Sequence, residues 1–569
     1  MQLIEKLLES VLKQTITRIY PDFSDWSKLF IQRTNDPQFG DFQTNFAMIN
    51  SKVFGKQPKI IAEEIKNSVC DPIIEKVEIA GPGFINIFLK NEAVCEIIKN
   101  SDAAGWDFSF IDRSGDIIID YSAPNIAKQM HIGHLRSTVI GDSLKRIFRF
   151  MGFSVIGDNH IGDWGTPFGK LIVGFRKWLD SAAYEANPIE ELERLYVLFA
   201  QKEEEDPELG DLARLELTKL QSGDPDNRKL WKEFVDISIK EYNKLYDRMD
   251  ISFDTWHGES FYHDMNSKTL EILQEKELAV ESEGALCVFF DESENLPPFI
   301  VRKKDGGFNY ATSDLSSVFY RMQNHELNRV IYVTDDRQQG HFKQLFATAK
   351  KLGFNLPLEH VYFGVMRFAD GIFATRKGNA IKLEHLIDES VRRALEIIEE
   401  KNPSLPETEK KAIAEVVGIG AVKYSDLSQN RISTIIFEWD KVLNFEGNTA
   451  PYLQYTYARI KAIKRKADEA GKTISDEKII LGTDIERGLA MQLLAFPQAL
   501  IKASENFRPN ILADYLFELA QKFNNFYNSL SVLKEEDSIL KSRLSLSLKT
   551  AEVLKSGLNL LGIKTVERM

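Results

Sequence analysis

Apolar residues in this chain follow two rhythms, and the sharpest change between them lies from Asp116 to Gly152. Ile117, Ile118 and Ile119 form a short β-branched run, as in a strand buried on both faces of a parallel sheet. Pro124 and Asn125 interrupt it, since proline fixes φ and has no N–H for a ladder. Leu135, Val139, Leu144, Ile147 and Met151 then recur near the helical period, and Gly152 supplies a stop. The predicted order is strand, tight turn, long helix. Elsewhere, Leu3, Ile4, Leu7, Leu8, Val11 and Leu12 share one face of an opening helix. Ile79 to Leu89 reads as a Gly-Pro-Gly turn feeding an alternating strand. After Gly152 come a second strand and a glycine-rich loop with Gly162, Gly165 and Gly169. Residues from about 175 to 250 read as helical, and the acidic run Glu203 to Asp206 as a solvated face or loop. Val330 to Phe346 reads as a buried strand, a polar turn and another helix, and residues 484–562 as three or more amphipathic helices.

Composition narrows the class. A length of 569 residues predicts two to four domains, and 43% apolar with 28% charged residues is ordinary for a globular protein. Cys70, Cys95 and Cys287 are widely spaced with no CxxC pair, which argues against a disulfide framework or structural zinc and fits a reducing, cytoplasmic setting. Glu5 and Glu9 in the first helix are unlike a secretory or mitochondrial leader. No window approaches about 18 uninterrupted apolar residues, so no membrane partner is expected. A net charge of −13 limits non-specific nucleic-acid affinity, although local basic strips can still neutralise phosphates.

Candidate chemistry sits where the first strand gives way to its helix, at His131-Ile132-Gly133-His134. Residues three apart share one side of a helical turn, so both imidazoles point the same way. Gly133 has no side chain to hold a ligand off the backbone, and helix N-terminal amides favour anions. Alone, these four residues also fit unrelated surface histidines. The flanks change that: SAPNIAKQMHIGHLRSTVIGD resembles the ATP-binding signature of class I aminoacyl-tRNA synthetases in the form used by arginyl-tRNA synthetases. Its Ser-x-Pro-Asn-x-Ala-Lys lead-in and Leu-Arg-Ser-Thr follow-on discriminate more than the histidines do.

That resemblance implies an α/β fold: a Rossmann-like parallel-sheet catalytic domain over residues 106–443, with a helical insertion at about 175–295. It also implies an N-terminal α+β domain over 1–105 and an all-α anticodon-binding domain over 444–569. The activity implied is arginine–tRNA ligation with L-arginine, ATP as its Mg2+ complex and tRNA(Arg) as substrates, by a monomer without a structural metal. By family position, Asn125, Lys128, His131, Gly133 and His134 bind ATP and serve catalysis. Phe373 to Gly378 occupies the place of the lysine-rich loop, with Arg376 and Lys377 as its cations. Its first lysine is missing, and Lys128 is assigned the compensation. Asp120, Asn125, Tyr310, Asp314 and Gln338 fall at arginine-binding positions; a carboxylate can meet a guanidinium fork bidentately. Phe84 and Asn86 fall at positions that meet a tRNA D-loop base, although Phe84 also fits a core strand. Tyr527 falls at a family anticodon-contact position, and Tyr452 and Tyr455, just before a basic run, are aromatics suited to unstacked tRNA bases. The cations Arg459, Lys461, Lys464, Arg465 and Lys466, with Tyr457 nearby, suit phosphates but equally suit a solvated helix face. The family usually has Gln where this chain has Pro167. A requirement for bound tRNA before activation is also implied.

Other readings fare worse. An NAD enzyme needs a GxGxxG turn after a strand, and none is present. A P-loop needs GxxxxGK[ST], but ahead of Gly471-Lys472-Thr473 the required glycine position holds Lys466. A simple nucleotidyltransferase needs neither flanking domain. A synthetase for another amino acid has no use for two carboxylates around its side-chain pocket. A catalytically silent tRNA-binding paralogue is the remaining alternative, and intact His131, His134, Asp120, Tyr310 and Asp314 speak against it.

Overall fold

The computed structural model describes residues 3–34, 36–101, 105–304, 306–368, 381–472 and 479–569. The apolar stripe of the opening helix, Ile4–Ile19, buries Leu8, Leu12 and Ile16. Glu5 is buried on that helix beside Arg33, whose Nε donates to it at 3.1 Å. The helix covers an antiparallel sheet built from β1 (Gln32–Arg33), β2 (Phe42–Thr44), β3 (Ile74–Ala80) and β4 (Phe84–Leu89), in the order β1-β2-β4-β3.

The next strands are β5 (Asp116–Asp120) and β6 (Ser154–Asp158), joined by the predicted signature helix, Ile132–Phe150. Ile117 and Ile119 join one buried cluster and Ile118 another, so the β-branched run serves both faces of the sheet. Helices Thr166–Trp178, Glu208–Gln221 and Pro225–Arg248 follow. Gly169 lies inside the first of these rather than in the expected loop; a Cβ there would stand 2.1 Å from Ala213 O of the packed helix.

The segment expected to be a helical insertion is not helical throughout. Strands β7 (Ala279–Ser282) and β8 (Ala285–Val288) occupy its end, and β9 (Phe299–Arg302) just beyond it completes a three-stranded antiparallel sheet. Their cause is local: AVES and ALCV flank the two-residue turn Glu283-Gly284, whose positive φ values of 49° and 83° match a tight hairpin. The carboxylate helix, Tyr310–Asn324, then leads into β10 (Leu327–Tyr332) and β11 (Leu358–His360). With β5 and β6 these form an all-parallel sheet in the order β11-β10-β5-β6. Strand order reverses between β5 and β10, and such a switch point opens a crevice at the carboxyl ends of the strands.

β12 (Met366–Phe368) pairs in parallel with β13 (Ile435–Phe437) beyond that crevice. Arg136 of the signature helix, 1% exposed, fastens this pair: Nε donates to Asp426 at 2.8 Å, and Nη1 donates to Gly364 O at 2.6 Å and Ser433 O at 3.2 Å. Breaking such a buried pair costs about 3–5 kcal/mol. Helices Ala450–Glu469, Asp484–Leu493, Phe496–Glu505, Pro509–Ser529 and Asp537–Leu560 complete the chain. The last meets the signature helix directly, with Ser143 Oγ donating to Leu560 O at 3.1 Å. No described helix is long and apolar enough to cross a membrane.

Candidate active site

The turn after β5 is held in conformations that side-chain-bearing residues rarely adopt. Ser122, Ala123 and Ala127 have φ values of 75°, 49° and 60°. Hydrogen bonds over-determine them. The Ser122 N–H donates to Ser137 Oγ at 2.9 Å, and Ser122 Oγ lies 2.8 Å from Thr138 Oγ1 and 2.7 Å from Tyr246 Oη. The Ala123 and Ala127 N–H groups donate to Asn159 Oδ1 and Ser238 Oγ, both at 3.0 Å. Tyr242 Oη donates to the carbonyls of Asn125 at 2.6 Å and Lys128 at 2.9 Å. The Ser-Thr of the follow-on is thus the clasp that keeps the lead-in bent. Asn125 is left exposed at the rim.

His131 caps the signature helix. Its Nδ1 accepts the Gly133 N–H at 3.0 Å, and His134 Nδ1 accepts the His131 N–H at 3.1 Å. A Cβ on Gly133 would stand 2.7 Å from the His131 ring, so glycine is needed for the first of these bonds. Because both Nδ1 atoms accept, each ring carries its proton on Nε2. Burial, then the charge of Lys128, lowers the His131 pKa; burial and His131 push His134 down to about 3. The turn therefore offers two neutral Nε2–H donors on rings whose centroids are 4.0 Å apart. Lys128 lies beside them, its ammonium 4.3 Å from the centre of the Tyr196 ring.

Across the switch point lies an acidic pocket. Tyr310 and Asp314 sit one turn apart on the carboxylate helix, Tyr310 with 70% of its surface exposed and Asp314 hydrogen-bonded to His341 Nε2. Asp120 closes the end of β5, and Arg321 Nη2 donates to its Oδ2 at 2.7 Å. Burial outweighs that guanidinium and raises the Asp120 pKa. Burial also opposes the charged form of His160, but Asp120 and then Asp314 outweigh it and raise the His160 pKa. Glu259 is pushed up to about 7 by burial, against the pull of His160 and with the push of Asp314. Gln338 is exposed in the turn that follows β10. Sequence reading missed Glu259, His160, His341 and Arg321. Arg321 alone carried a signal, standing seven residues after Asp314 and so on the same helix face.

Family models match three stretches of the chain. Residues 4–89 match the arginyl tRNA synthetase N terminal domain, 109–439 the tRNA synthetases class I (R) catalytic domain, and 453–569 the DALR anticodon binding domain. The chain is 54% identical to the arginine–tRNA ligase of Fusobacterium nucleatum, across 100% of both chains. It is 43% identical to that of Erwinia tasmaniensis, across 95% of each. This chain belongs to the arginyl-tRNA synthetase family. The crystal structure of the Plasmodium falciparum arginyl-tRNA synthetase superposes with a TM-score of 0.84 at 30% identity, covering 100% of both chains. The Thermus thermophilus arginyl-tRNA synthetase shares the fold, with a TM-score of 0.84 at 24% identity over the same coverage.

Other positions expected of a class I arginyl-tRNA synthetase are less uniform. Arg376 and Lys377 lie outside the described residues. The chain returns from that segment onto the histidine turn, where the Ile132 N–H donates to Ile381 O at 3.0 Å and the Leu383 N–H to Met130 O at 2.9 Å. Phe84 is half-buried at the start of β4, but Asn86 is only 3% exposed. β4 is a central strand, and Asn86 has Gln43 and Glu78 as neighbours on either side. Tyr455 and Tyr527 are 38% and 39% exposed, with the Arg459 guanidinium 4.9 Å and 5.3 Å from their ring centres. Tyr452 is half-buried and accepts from Asn524 Nδ2 at 2.8 Å. Tyr457, by contrast, is buried with its hydroxyl on Glu567 at 2.8 Å. A cavity of about 1120 Å³ lies between Tyr452, Tyr455, Arg459 and helix Leu383–Lys401, well away from the histidine turn.

Proposed function

We propose that the protein is an arginine–tRNA ligase whose two steps run in the crevice between β5 and β10. One observation carries the assignment of roles: neutral Nε2–H donors and a pocket of carboxylates flank a single switch point. The guanidinium of arginine meets Asp314, with Glu259, Asp120 and Tyr310 around it, while Gln338 and Asn125 stand at the rim beside the amino acid's backbone groups. ATP enters as its Mg2+ complex, so the metal arrives with the substrate.

In the first step an arginine carboxylate oxygen attacks the α-phosphorus in line. The bond to the bridging oxygen breaks, and pyrophosphate leaves with its metal. Charge grows on the phosphate oxygens, where His131 and His134 donate from Nε2 and the helix N-terminus adds its dipole. No covalent enzyme intermediate forms, so rate comes from positioning and charge stabilisation. Lys128, Arg376 and Lys377 supply cations to the triphosphate. In the second step the 2′-hydroxyl of the terminal adenosine attacks the adenylate carbonyl, and AMP departs. We assign Tyr452, Tyr455 and Tyr527 to the anticodon loop and Phe84 with Asn86 to the D-loop, Asn86 becoming accessible only if β4 shifts. The division into 1–105, 106–443 and 444–569 follows from these roles.

Arginine-dependent ATP–pyrophosphate exchange, run with and without tRNA(Arg), tests the reading. Exchange that appears only with tRNA supports ligation and tRNA-gated activation together. Exchange without tRNA keeps the ligase and removes the gating. Bound tRNA without exchange in either case restores the silent paralogue, which nothing in the fold or the relatives otherwise favours.

A further inference from the structure

Arg321 lies two turns after Asp314 on the carboxylate helix. It is 2% exposed, and a single nitrogen bridges two carboxylates: Nη2 donates to Asp120 Oδ2 at 2.7 Å and to Asp158 Oδ2 at 2.9 Å. Those aspartates are direct neighbours in register, at the carboxyl ends of β5 and β6. Two buried carboxylates side by side repel, and one of them would take up a proton without a cation between them. Their surroundings differ. Asp158 is spoken for on its other oxygen, which accepts Thr255 Oγ1 at 2.7 Å and the His257 N–H at 3.2 Å. Its side chain keeps 2% exposure, whereas that of Asp120 keeps 10%. Asp120 is therefore the member of the pair that meets the crevice. The Tyr332 ring of β10 supports the guanidinium from beneath, with its centre 5.3 Å away.

We propose that Arg321 is a positioning residue for arginine recognition: a resident guanidinium that holds Asp120 ionised and aimed, in register with Asp314 two turns up the same helix. This rests on the reading of Asp120 as an arginine-binding residue. A guanidinium suits the role because Nη2 can give one N–H to each carboxylate while the charged plane lies against the Tyr332 ring; an ammonium can bridge the carboxylates but lacks that plane. Other charged or titratable groups around the pair are His160 just after β6, His257 just before the helix Glu259–Tyr262, Tyr262 on that helix, and Tyr332 on β10. Arg321 is the cation among them with two direct carboxylate bonds. With it gone, Asp120 is the group free to titrate toward neutral pH.

The test compares Arg321→Ala, Arg321→Lys, Asp120→Asn and the Arg321→Ala/Asp120→Asn double variant in arginine-dependent pyrophosphate exchange with tRNA present. Arg321→Ala should raise the arginine KM by roughly 30-fold or more while leaving the ATP KM unchanged. The defect should widen from pH 8 to pH 6 as Asp120 takes up its proton. Millimolar guanidinium ion should recover part of the loss, and sodium at equal ionic strength should not. Arg321→Lys should fall between the two, and it carries the test if the alanine variant does not fold. In the double variant the two losses should overlap rather than multiply. A wild-type arginine KM in Arg321→Ala, equal losses for arginine and ATP without guanidinium rescue, or multiplying effects would each overturn the proposal. An Asp120→Asn enzyme with an unchanged arginine KM would instead overturn the underlying role of Asp120, and the positioning role with it.

Discussion

In the roles proposed for them, the crevice at the strand ends and the tyrosine face of the helical region meet different binding problems with different materials. In the crevice the imidazoles and carboxylates are partly or wholly buried and committed to partners before substrate arrives. Both His131 and His134 have spent Nδ1 on a backbone N–H, and Asp314 and Asp120 each have one oxygen held by His341 or Arg321. On the tyrosine face, Tyr455 and Tyr527 are more than a third exposed, steadied by Arg459 around a cavity of about 1120 Å³. A small charged ligand is selected by directional charge in a low dielectric, where one misplaced proton matters. A looped polynucleotide is gripped by ring planes in water, where each contact contributes modestly and none must be protonated in one way. Energy per residue should therefore fall from the crevice to the tyrosine face.

The largest effect should come from Asp314→Ala. Without that carboxylate the arginine guanidinium has lost its partner in an enclosed site, a loss of about 3–5 kcal/mol in kcat/KM for arginine. An unchanged arginine KM would dissolve the pocket assignment. His134→Ala comes next, because it removes a fixed donor from the growing phosphate charge and the bond that orients the turn. Its expected cost is about 2.7–4 kcal/mol in kcat, with arginine binding retained. Single-turnover adenylate formation separates the two; loss of arginine affinity alone would count against the phosphate role. Tyr527→Ala should raise the tRNA KM by the equivalent of about 1–3 kcal/mol and leave arginine affinity alone. A cost above that of Asp314→Ala would invert the comparison.

A pH effect sharpens the contrast further. Glu259, pushed up to about 7 chiefly by burial, is largely protonated below that pH in the empty pocket. A bound guanidinium favours the carboxylate, so binding expels the proton. Arginine affinity should weaken as pH falls below 7, by no more than about tenfold per pH unit, and level off above it. The His134 donor, neutral down to about pH 3, adds no slope of its own there. Glu259→Gln should flatten the arginine profile. Affinity for tRNA should be insensitive to that substitution, and a matching slope in tRNA binding would assign the titration elsewhere.

How much of this was legible in the sequence depended on how local each feature is. Strand, bent turn and histidine-bearing helix are contiguous, so period, breaker and motif coincide over one short stretch from Asp116 to Gly152. The pocket is assembled from β5, the residues just after β6, the short helix Glu259–Tyr262, the carboxylate helix and the helix Gln339–Lys351. Glu259 and His341 have no periodic or motif signal to join them to Asp314. Two misreadings were avoidable in physical terms. Tyr457 shares the buried helix face of Leu453 and Ile460, at spacings of four and three, so its enclosure was readable. The turn pair Glu283-Gly284 between two short runs, the second of them wholly apolar, was the signal of a hairpin inside a segment otherwise rich in helices. Asn86 is different: alternation along β4 places it on the face opposite Ile85 and Ile87, and only the tertiary structure shows that it is buried there as well.

The smallest effect should be that of Pro167→Gln, the residue that the resemblance leads one to expect there. Pro167 is exposed in the first turn of helix Thr166–Trp178, where a missing N–H leaves no intrahelical bond unmade and a fixed φ suits the start of the helix. Glutamine there returns a flexible side chain at the rim without touching the histidine clasp or the carboxylate pocket. Stability should move by less than about 0.5 kcal/mol. Arginine and ATP KM values should stay where they are, because no enclosed polar group changes partner. A gain in tRNA affinity alone would place the rim with the tyrosine face, as a surface read by a large ligand through contacts of small individual worth. A change in arginine KM would mean that the enclosed network reaches further out than its hydrogen bonds indicate, and the line between the two regions would have to be redrawn at this helix.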